Sequence, residues 1–345
     1  MDNIIATWVC VDTHKNGTHF PSAGGNSADT NVQAIYWRCV CCFYTIAHLT
    51  NPLARLILFS NSLDLPVVDG TDVRTLLQKL NVTVYVTPFE YITPEGYYKQ
   101  WRNQFYEFSI LKYISNHKDF EDTNRFLLLD SDCIITRDLS NLFDEITQSD
   151  CITYIIDYDK NHIINGNSRV DMQSAFAELS KQTVKEIPNY HAGEIFAATV
   201  QVIKTLIEDF YTVWEKLLVL HEAGLPKLNE EAHVLSYLFY KNGFKGGEAN
   251  KYIKRLWTDP TTFRNITSDD CLLHIWHLPA EKRHGFKSLF GWLQKKEFDL
   301  TNMDFLRIET RLKNTFMIPQ IPLLKQPYLI GKYLYKKYLL QAKVS

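Results

Sequence analysis

The chain has 345 residues, of which 46% are hydrophobic and 22% are charged, and its formal net charge is −2. This composition is that of a globular protein with a full hydrophobic core, so a disordered chain is excluded. No apolar run in the sequence approaches the roughly 18–20 residues that a membrane-spanning helix needs.

Strands and helices alternate in the first part of the sequence. In chain order the predicted elements are a strand at 4–11, a helix from Asp29 or Thr30 to about Ala47, a strand at 55–61, a helix at 71–80 and a strand at 82–86. This β-α-β-α-β order requires right-handed crossovers and predicts an α/β fold with a mostly parallel sheet. No Gly-x-Gly-x-x-Gly or Walker-type loop interrupts it, which disfavours dinucleotide and ATP-type phosphate sites.

The second part of the sequence continues the alternation. The predicted elements are a helix at 98–115, a strand at 125–129, a strand at 152–156, a helical segment at 172–179, a helix at 200–220, a helix opening at 228–238 and a strand ending in 271–277. Arg102 lies near the start of the first of these helices, where a basic group is placed to meet a diphosphate. The alternative is that Arg102 belongs to a solvated helix face.

A buried apolar strand at 125–129 ends in two carboxylates, Asp130 and Asp132, which are separated by Ser131. In a strand, residues i and i+2 share a face about 6–7 Å apart, so both carboxylates can reach one divalent cation. Two carboxylates that leave the remaining ligand positions to water and substrate phosphates are typical of magnesium or manganese. The alternative is a polar strand end followed by a turn.

This strand end resembles that of the Asp-x-Asp glycosyltransferases of the GT-A fold, in which it carries the metal of the nucleotide sugar. The resemblance implies a Rossmann-like α/β sheet flanked by helices, with Mn²⁺ or Mg²⁺ as the cofactor. It also implies that Asp130 and Ser131 contact a nucleotide-sugar donor, for which a UDP-sugar is the first expectation.

Residues 189–197 leave an irregular stretch and enter a regular element. Small residues at Ala192 and Gly193 allow a ligand to approach the backbone closely, although a tight turn explains them equally well. The stretch resembles the His-Ala-Ala-Ile-Phe segment of the blood-group and α-1,3-galactosyltransferase family. That resemblance implies that His191, Ala192 and Gly193 line the donor sugar.

Two acids, Glu230 and Glu231, stand in the first turn of the helix that opens at 228–238. The simpler explanation is that they stabilise the positive end of the helix. The other is that one carboxylate faces the sugar as nucleophile, base or transition-state stabiliser. The segment resembles the Asp-Glu-Ser-His-Leu run of the same transferase family, which implies that Glu231 faces the anomeric carbon and Glu230 contacts donor or acceptor hydroxyls.

Residues 271–283 form a strand that ends in two histidines, followed by a proline-led turn and a basic pair. We expect His274 to complete the metal ligand set and Lys282 or Arg283 to neutralise the departing diphosphate. The segment is similar to the His-[Phe/Tyr]-x-Gly-x-x-Lys-Pro-Trp run of the glycogenin and lipopolysaccharide-galactosyltransferase family. However, no glycine stands three residues after His274, and Lys282 follows at eight residues rather than six, so His277 is the alternative metal ligand as well as a candidate contact of the donor.

We expect residues 1–285 to form the GT-A domain and residues 286–345 a helical, basic C-terminal extension. Four lysines fall close together on a helical projection of the last residues, Lys325, Lys332, Lys336 and Lys343, and many Tyr and Leu residues supply an apolar surface. A basic amphipathic helix of this kind is typical of peripheral membrane binding, and the alternative is a helix docked on the domain.

The sequence thus predicts a metal-dependent glycosyltransferase that moves a hexose from a nucleotide diphosphate sugar to a glycan or glycolipid acceptor, with retention of configuration preferred. No nucleic acid partner is expected. Because the first residues lack a secretory pattern and the seven cysteines form no disulfide framework, we expect a cytoplasmic protein. The alternatives are a sugar nucleotidyltransferase and a non-catalytic carbohydrate-binding or scaffold protein on the same fold.

Overall fold

The computed structural model describes residues 1–323 apart from 14–16, 22 and 101, and also residue 331. The strands of this part are β1 (Asn3–Val9), β2 (His19–Phe20), β3 (Gly25–Asn26), β4 (Arg55–Ser60), β5 (Val67–Val68), β6 (Thr71–Asp72), β7 (Val82–Val86), β8 (Arg125–Leu129), β9 (Cys133–Ile135), β10 (Cys151–Ile152), β11 (Ile195–Thr199), β12 (Ile253–Arg255) and β13 (Ile275–His277). The α-helices are α1 (Thr30–Thr50), α2 (Val73–Lys79), α3 (Tyr106–Asn116), α4 (Ser140–Ser149), α5 (Arg169–Ser180), α6 (Val200–Glu222), α7 (Glu231–Lys241), α8 (Gly285–Gln294) and α9 (Phe305–Phe316). Short 3₁₀ helices lie at Arg102–Phe105, Glu248–Lys251, Asp269–Leu272 and Pro279–Glu281.

The central sheet has the strand order β10-β11-β8-β1-β4-β7. Strands β8, β1, β4 and β7 run parallel, whereas β11 is antiparallel to β8 and β10 is antiparallel to β11. Strand β8 is apolar after Arg125 and buried, as expected for a strand covered on both faces. The predicted α/β fold with a mostly parallel sheet flanked by helices is confirmed.

A smaller sheet has the order β12-β13-β9 and stands next to the carboxyl end of β8. Strand β13 is antiparallel to β9, and this register places His277 opposite Cys133. Only three residues, Asp130 to Asp132, connect β8 in the central sheet to β9 in the smaller one. The acidic pair therefore lies where the two sheets meet.

The two helices that follow residue 285 belong to the same hydrophobic core as the sheet. Helix α8 packs on α1, and the Cys42 thiol lies 3.8 Å from the carbonyl oxygen of Phe286. The rings of Phe286 and Phe316 are 5.3 Å apart and join α8 to α9. The boundary predicted at residue 285 thus falls at the start of α8, and these helices share the domain's core.

The helix predicted at 98–115 begins later than its apolar spacing indicates. Residues 102–105 form a 3₁₀ turn, and α3 begins at Tyr106. Tertiary contacts hold the preceding segment in an irregular path: the Tyr97 hydroxyl donates to the Leu228 carbonyl (2.7 Å), and Arg102 donates to the Thr93 carbonyl (2.7 Å). The predicted start of this helix was therefore wrong.

The strand predicted at 152–156 is also shorter, because β10 ends at Ile152. Beyond it the backbone finds other partners: Asn250 accepts from the Ile155 N–H (3.0 Å) and donates to the Ile155 carbonyl (2.8 Å). At Ile155 a side chain thus supplies the backbone partners that a neighbouring strand would otherwise provide.

Within the described residues, no helix combines the length and the apolar character needed to span a membrane. The basic amphipathic helix predicted for the last residues lies outside the described part of the chain, apart from Gly331.

Candidate functional site

The two acids after β8 lie in a tight turn, in which the Cys133 N–H donates to the Asp130 carbonyl (3.0 Å). The sequence predicts that the two carboxylates lie close together because side chains i and i+2 of a strand share a face. In the structure the tight turn, not a strand, brings them together. Asp132 is 1% exposed, whereas Asp130 is half-buried. Ser131 is buried between them.

His277 stands beside both carboxylates. Its Nε2 lies 3.2 Å from Asp132 Oδ2 and 3.6 Å from Asp130 Oδ2. One ligand atom from each of the three residues falls within 4.8 Å of the others. The pairing of β13 with β9 fixes this arrangement, because the Leu278 N–H donates to the Asp132 carbonyl (3.0 Å).

His274, the ligand first expected from the sequence, lies elsewhere. It precedes β13 by one residue, and its ring packs on that of Tyr252 at 5.3 Å. Successive side chains of a strand point to opposite faces, so residues 274 and 277 cannot both face the acidic pair. The structure therefore places the alternative, His277, in the cluster.

Glu194 supports His277 from behind, and sequence reasoning assigned it no role. Its Oε1 lies 3.2 Å from His277 Nδ1. Its carboxylate also accepts two hydrogen bonds from Arg255, at 3.0 and 2.5 Å. Because β11 pairs with β8, the Glu194 carbonyl accepts the Asp130 N–H (3.1 Å), which fixes the acid next to the turn. A carboxylate on one imidazole nitrogen orients the other nitrogen toward a metal.

Lys282 brings a second positive charge to Asp132. Its Nζ is 2.7 Å from Asp132 Oδ2, and it lies over the Tyr36 ring at 5.6 Å. The side chain is buried because the 3₁₀ turn after β13 carries it inward. Arg283, the other basic residue of the predicted pair, lies beside Gly24.

The cluster alternates negative and positive groups, and this alternation sets its pKa values. Burial alone would raise the pKa of Asp132, but Lys282 and His277 lower it below its ordinary value. Burial alone would lower the pKa of His277, but Asp132 and Glu194 raise it to about 9. Partial burial and the Asp132 charge raise the pKa of Asp130 to about 6.

The donor set fits a hard divalent cation. Among the described residues, Asp132 Oδ2 and His277 Nε2 are buried and make no hydrogen bond of good geometry, although both take part in ion pairs. Two carboxylates and one imidazole suit manganese or magnesium, and the half-exposed Asp130 leaves room for a ligand's own oxygens. A cation bound there would take the place of the extra proton on His277 as the positive charge beside Asp130 and Asp132.

A cleft with about 620 Å³ of empty volume, including its open mouth, lies directly beside the acidic turn. Its walls come from the end of β1, the loop after it, α1 and the 3₁₀ turn before α3. They include Trp8, Tyr36, Asn103, Asp130, Asp132 and Lys282. Aromatic walls above a charged floor suit a ligand with a flat ring and an anionic portion.

Arg102 does not line this cleft, although its neighbours Asn103 and Gln104 do. Its charge acts on Asp12: burial raises the pKa of that acid to about 6, and a hydrogen bond from Ser27 and the Arg102 charge oppose the rise. A diphosphate contact for Arg102 stays a prediction.

The predicted donor segment at 191–193 divides into two environments. The His191 imidazole contacts Thr153 Oγ1 (2.7 Å) and packs on the Phe239 ring (5.1 Å). Burial lowers its pKa to about 4, so the ring is neutral. Gly193 instead lies against Glu231, since a Cβ there would come within 2.6 Å of Glu231 Oε1. Ala192 is buried and donates its N–H to the Tyr154 carbonyl (2.9 Å).

The two acids at the start of α7 also differ. Glu230 is held by the protein on both oxygens: Tyr190 donates to one (3.1 Å) and the Asn165 amide donates to the other. Glu231 Oε2 has no partner in the described part of the chain. Burial raises the pKa of Glu231 well above its usual value, and Glu230 adds to the rise.

A further acid that sequence reasoning missed, Glu107, is 2% exposed on α3. Burial and then the Asp130 charge raise the pKa of its carboxyl. A signal for it existed in the sequence, because Glu107 stands between the apolar residues Phe105 and Phe108 on the buried side of the helix.

No protein-family model matches this sequence, and no curated protein matches it. Among solved structures, the chain is similar to a complex of the galactosyltransferase LgtC with donor and acceptor sugar analogues, at 12% identity over 84% of this chain and 95% of that one, with a TM-score of 0.49. It is also similar to an active-site variant of LgtC, at 12% identity over 94% and 99% of the two chains with a TM-score of 0.47. Mouse xyloside xylosyltransferase 1 in its apo form is similar at 10% identity over 81% and 98%, with a TM-score of 0.43. These similarities are ones of fold.

Proposed function

We propose that this chain is a metal-dependent glycosyltransferase that transfers a hexose from a nucleotide diphosphate sugar, most simply a UDP-sugar, to a hydroxyl of a glycan or glycolipid. The observation that carries the proposal is the meeting of Asp130, Asp132 and His277 in one cluster, next to an aromatic-walled cleft that both acids line. The Asp-x-Asp resemblance of the sequence supports the same assignment.

In this proposal Asp130, Asp132 and His277 hold Mn²⁺ or Mg²⁺. The bound cation supplies Lewis-acid stabilisation of the diphosphate. Glu194 keeps the ring of His277 in place and directs Nε2 toward the acids, since Nδ1 is its partner. Arg255 forms an ion pair with Glu194, so Glu194 can hold His277 in place without being a buried, unpaired charge.

Lys282 adds a fixed positive charge next to the acids. Its Nζ is already 2.7 Å from Asp132, and the residue lines the cleft, so a phosphate oxygen can approach it from the open side. Charge that develops on a leaving diphosphate is stabilised by a cation that is held in position before the reaction. Of the predicted basic pair, Lys282 is therefore the residue that we assign to the leaving group.

Glu231 is the residue that we assign to the sugar. Its buried carboxyl lies against Gly193 and carries an oxygen without a partner in the described residues. Such a group can accept a hydrogen bond from a sugar hydroxyl or stabilise positive charge at the anomeric carbon. Retention of configuration, which the family resemblance favours, belongs to this proposal.

The experiment is a screen of UDP-sugars for hydrolysis and transfer, with Mn²⁺ and with a chelator. We expect turnover of at least one donor in Mn²⁺, loss of that turnover with the chelator, and loss of it in Asp132→Asn. A matched control is Asp144→Asn, which removes an exposed carboxylate paired with Arg125 outside the cleft. Equal turnover in Asp132→Asn and in the unmodified protein would contradict the proposal.

A further inference from the structure

Three buried oxygen atoms near the acidic turn have no hydrogen-bond partner among the described residues. They are Oε1 of Gln104, Oε1 of Glu107 and Oε2 of Glu231. Native proteins pair nearly all buried polar atoms, and each exception needs an explanation. Donors supplied by a bound molecule are one such explanation, because a buried acceptor is unfavourable until it is paired.

Two of the three atoms come from one helical face. Gln104 lines the cleft together with Asp130. Glu107 follows Gln104 by three residues, at the point where the 3₁₀ turn continues into α3, and residues at this spacing project from the same side. The charge of Asp130 acts on the Glu107 carboxyl, as expected if the two side chains approach the same space.

The third atom belongs to a carboxyl on a different helix, α7. The carboxyl of Glu231 lies against Gly193, and the next residue, Glu194, accepts the backbone N–H of Asp130 (3.1 Å). The glycine at 193 leaves room for this carboxyl, since a Cβ there would come within 2.6 Å of Glu231 Oε1. Glu107 on α3 and Glu231 on α7 thus both lie close enough to the acidic turn for the charge of Asp130 to raise the pKa of their carboxyls.

Hydroxyl groups are the donors that fit this arrangement. A sugar ring carries several O–H groups at fixed spacing, and each can donate to an acceptor that has no protein partner. Within the described residues neither Glu107 nor Glu231 forms an ion pair with lysine or arginine. The nearby cations are engaged, Lys282 with Asp132 and Arg255 with Glu194.

A sugar that bears a carboxylate would therefore enter this space without a cation to pair with. Burying an unpaired charge is unfavourable whether or not the surrounding carboxyls hold protons. A neutral sugar brings donors without this cost.

We infer that Gln104, Glu107 and Glu231 form the pocket for the transferred sugar, and that Glu107 selects a neutral, hydroxyl-bearing sugar over a uronic acid. This inference rests on the proposed function, because it assigns the sugar class of that same site. Glu107 is the decisive residue, since its Oε1 has no hydrogen-bond partner among the described residues.

The test measures equilibrium binding of UDP, UDP-glucose, UDP-galactose and UDP-glucuronate in Mn²⁺, for the unmodified protein and for Glu107→Leu and Glu107→Gln. We expect the tighter of the two hexose donors to bind about 10-fold or more tightly than UDP-glucuronate. Glu107→Leu should weaken that hexose donor about 10-fold relative to UDP, which is the effect of about one lost hydrogen bond, and Glu107→Gln should weaken it less.

UDP binding serves as the internal control for folding, and we expect it to stay within about twofold in both variants. A matched control is Glu145→Leu, which removes a carboxylate that pairs with Lys251 (2.7 Å) outside the cleft. It should change no donor's affinity relative to UDP.

Normal UDP binding together with an unchanged ratio of hexose-donor affinity to UDP affinity in Glu107→Leu would overturn this inference alone. Equal binding of UDP-glucuronate and the hexose donors by the unmodified protein would also overturn it. Absence of metal-dependent UDP binding would overturn the proposed function as well.

Discussion

Two histidines of this molecule have the same exposure and opposite electrostatics. His191 and His277 are each 4% exposed. Burial lowers the pKa of His191 to about 4, whereas Asp132 and Glu194 overcome the effect of burial and raise the pKa of His277 to about 9. Burial alone therefore does not make a histidine inert. The partners of the ring decide whether it is a packing residue or a member of a charged cluster.

The largest effect that should separate the two histidines is on metal binding. His277→Asn should lower the affinity for Mn²⁺ in the presence of UDP by more than about 100-fold, because removal of a ligand exceeds the 10- to 100-fold loss typical of its supporting partners. His191→Asn should lower it less than about threefold, since that ring contacts Thr153 and Phe239. Calorimetric titration of both variants measures this. Similar losses of Mn²⁺ affinity in the two variants would contradict the assignment of His277, and not His191, as a metal ligand.

The next effect concerns the support behind His277. Glu194→Gln should lower Mn²⁺ affinity about 10- to 50-fold, because the imidazole loses the carboxylate that orients it. It should also destabilise the fold, since Arg255 loses its charged partner. The double variant Glu194→Gln with Arg255→Met separates the two effects. It should recover stability but not metal affinity, and recovery of both would show that Glu194 acts on the fold alone.

The third effect is a pair of opposite pH dependences in metal-free protein. The folded pKa of His277 is raised, so its contribution to stability is complete below pH 6.5 and is lost as the pH rises through about 9. The folded pKa of His191 is lowered, so its contribution is complete above pH 6.5 and is lost as the pH falls through about 4.

Urea unfolding at several pH values measures both contributions. The free energy of unfolding contributed by each ring should fall by about 2 kcal/mol, from pH 7 to about 9 for His277 and from pH 7 to about 5 for His191. His277→Asn should remove the alkaline loss and His191→Asn the acidic loss. If the free energy of unfolding contributed by both rings fell on the same side of neutral pH, the opposite pKa shifts of His277 and His191 would be contradicted.

The smallest effect should come from His274, which the sequence places as a candidate ligand. His274→Ala should change Mn²⁺ affinity less than about twofold, because the ring packs on Tyr252 away from the acidic turn. Its effect on the free energy of unfolding should be about 1 kcal/mol or less, since the side chain is half-buried. A loss of metal affinity comparable to that of His277→Asn would show that the ligand assignment is reversed.

The acidic pair could be found from the sequence because its signal is local. A run of apolar residues at 126–129 predicts a buried strand, and the carboxylates that follow it stand at the carboxyl end of a parallel sheet. Local sequence could not decide between His274 and His277 as the metal ligand. The choice depends on the register of β13 with β9, two strands separated by more than a hundred residues.

Glu194 and Glu107 escaped assignment for a related reason. Glu194 follows Gly193 at the start of a strand, and its burial depends on Arg255, which lies 61 residues later in the chain. Glu107 occupies a buried position of α3 that an apolar residue would fill in an ordinary helix. In both cases a charged residue within an apolar pattern was the available signal, but the surroundings of its carboxyl are set by tertiary packing.

The most direct measurement of the central claim is the free Mn²⁺ signal in electron paramagnetic resonance. We expect the unmodified protein with UDP to deplete this signal, because Asp130, Asp132 and His277 bind the ion. The double variant Asp132→Asn with His277→Asn should not deplete it. Circular dichroism should show that both proteins are folded. Equal depletion by the folded double variant would contradict the account, because Mn²⁺ would then be bound without the cluster that joins the two sheets.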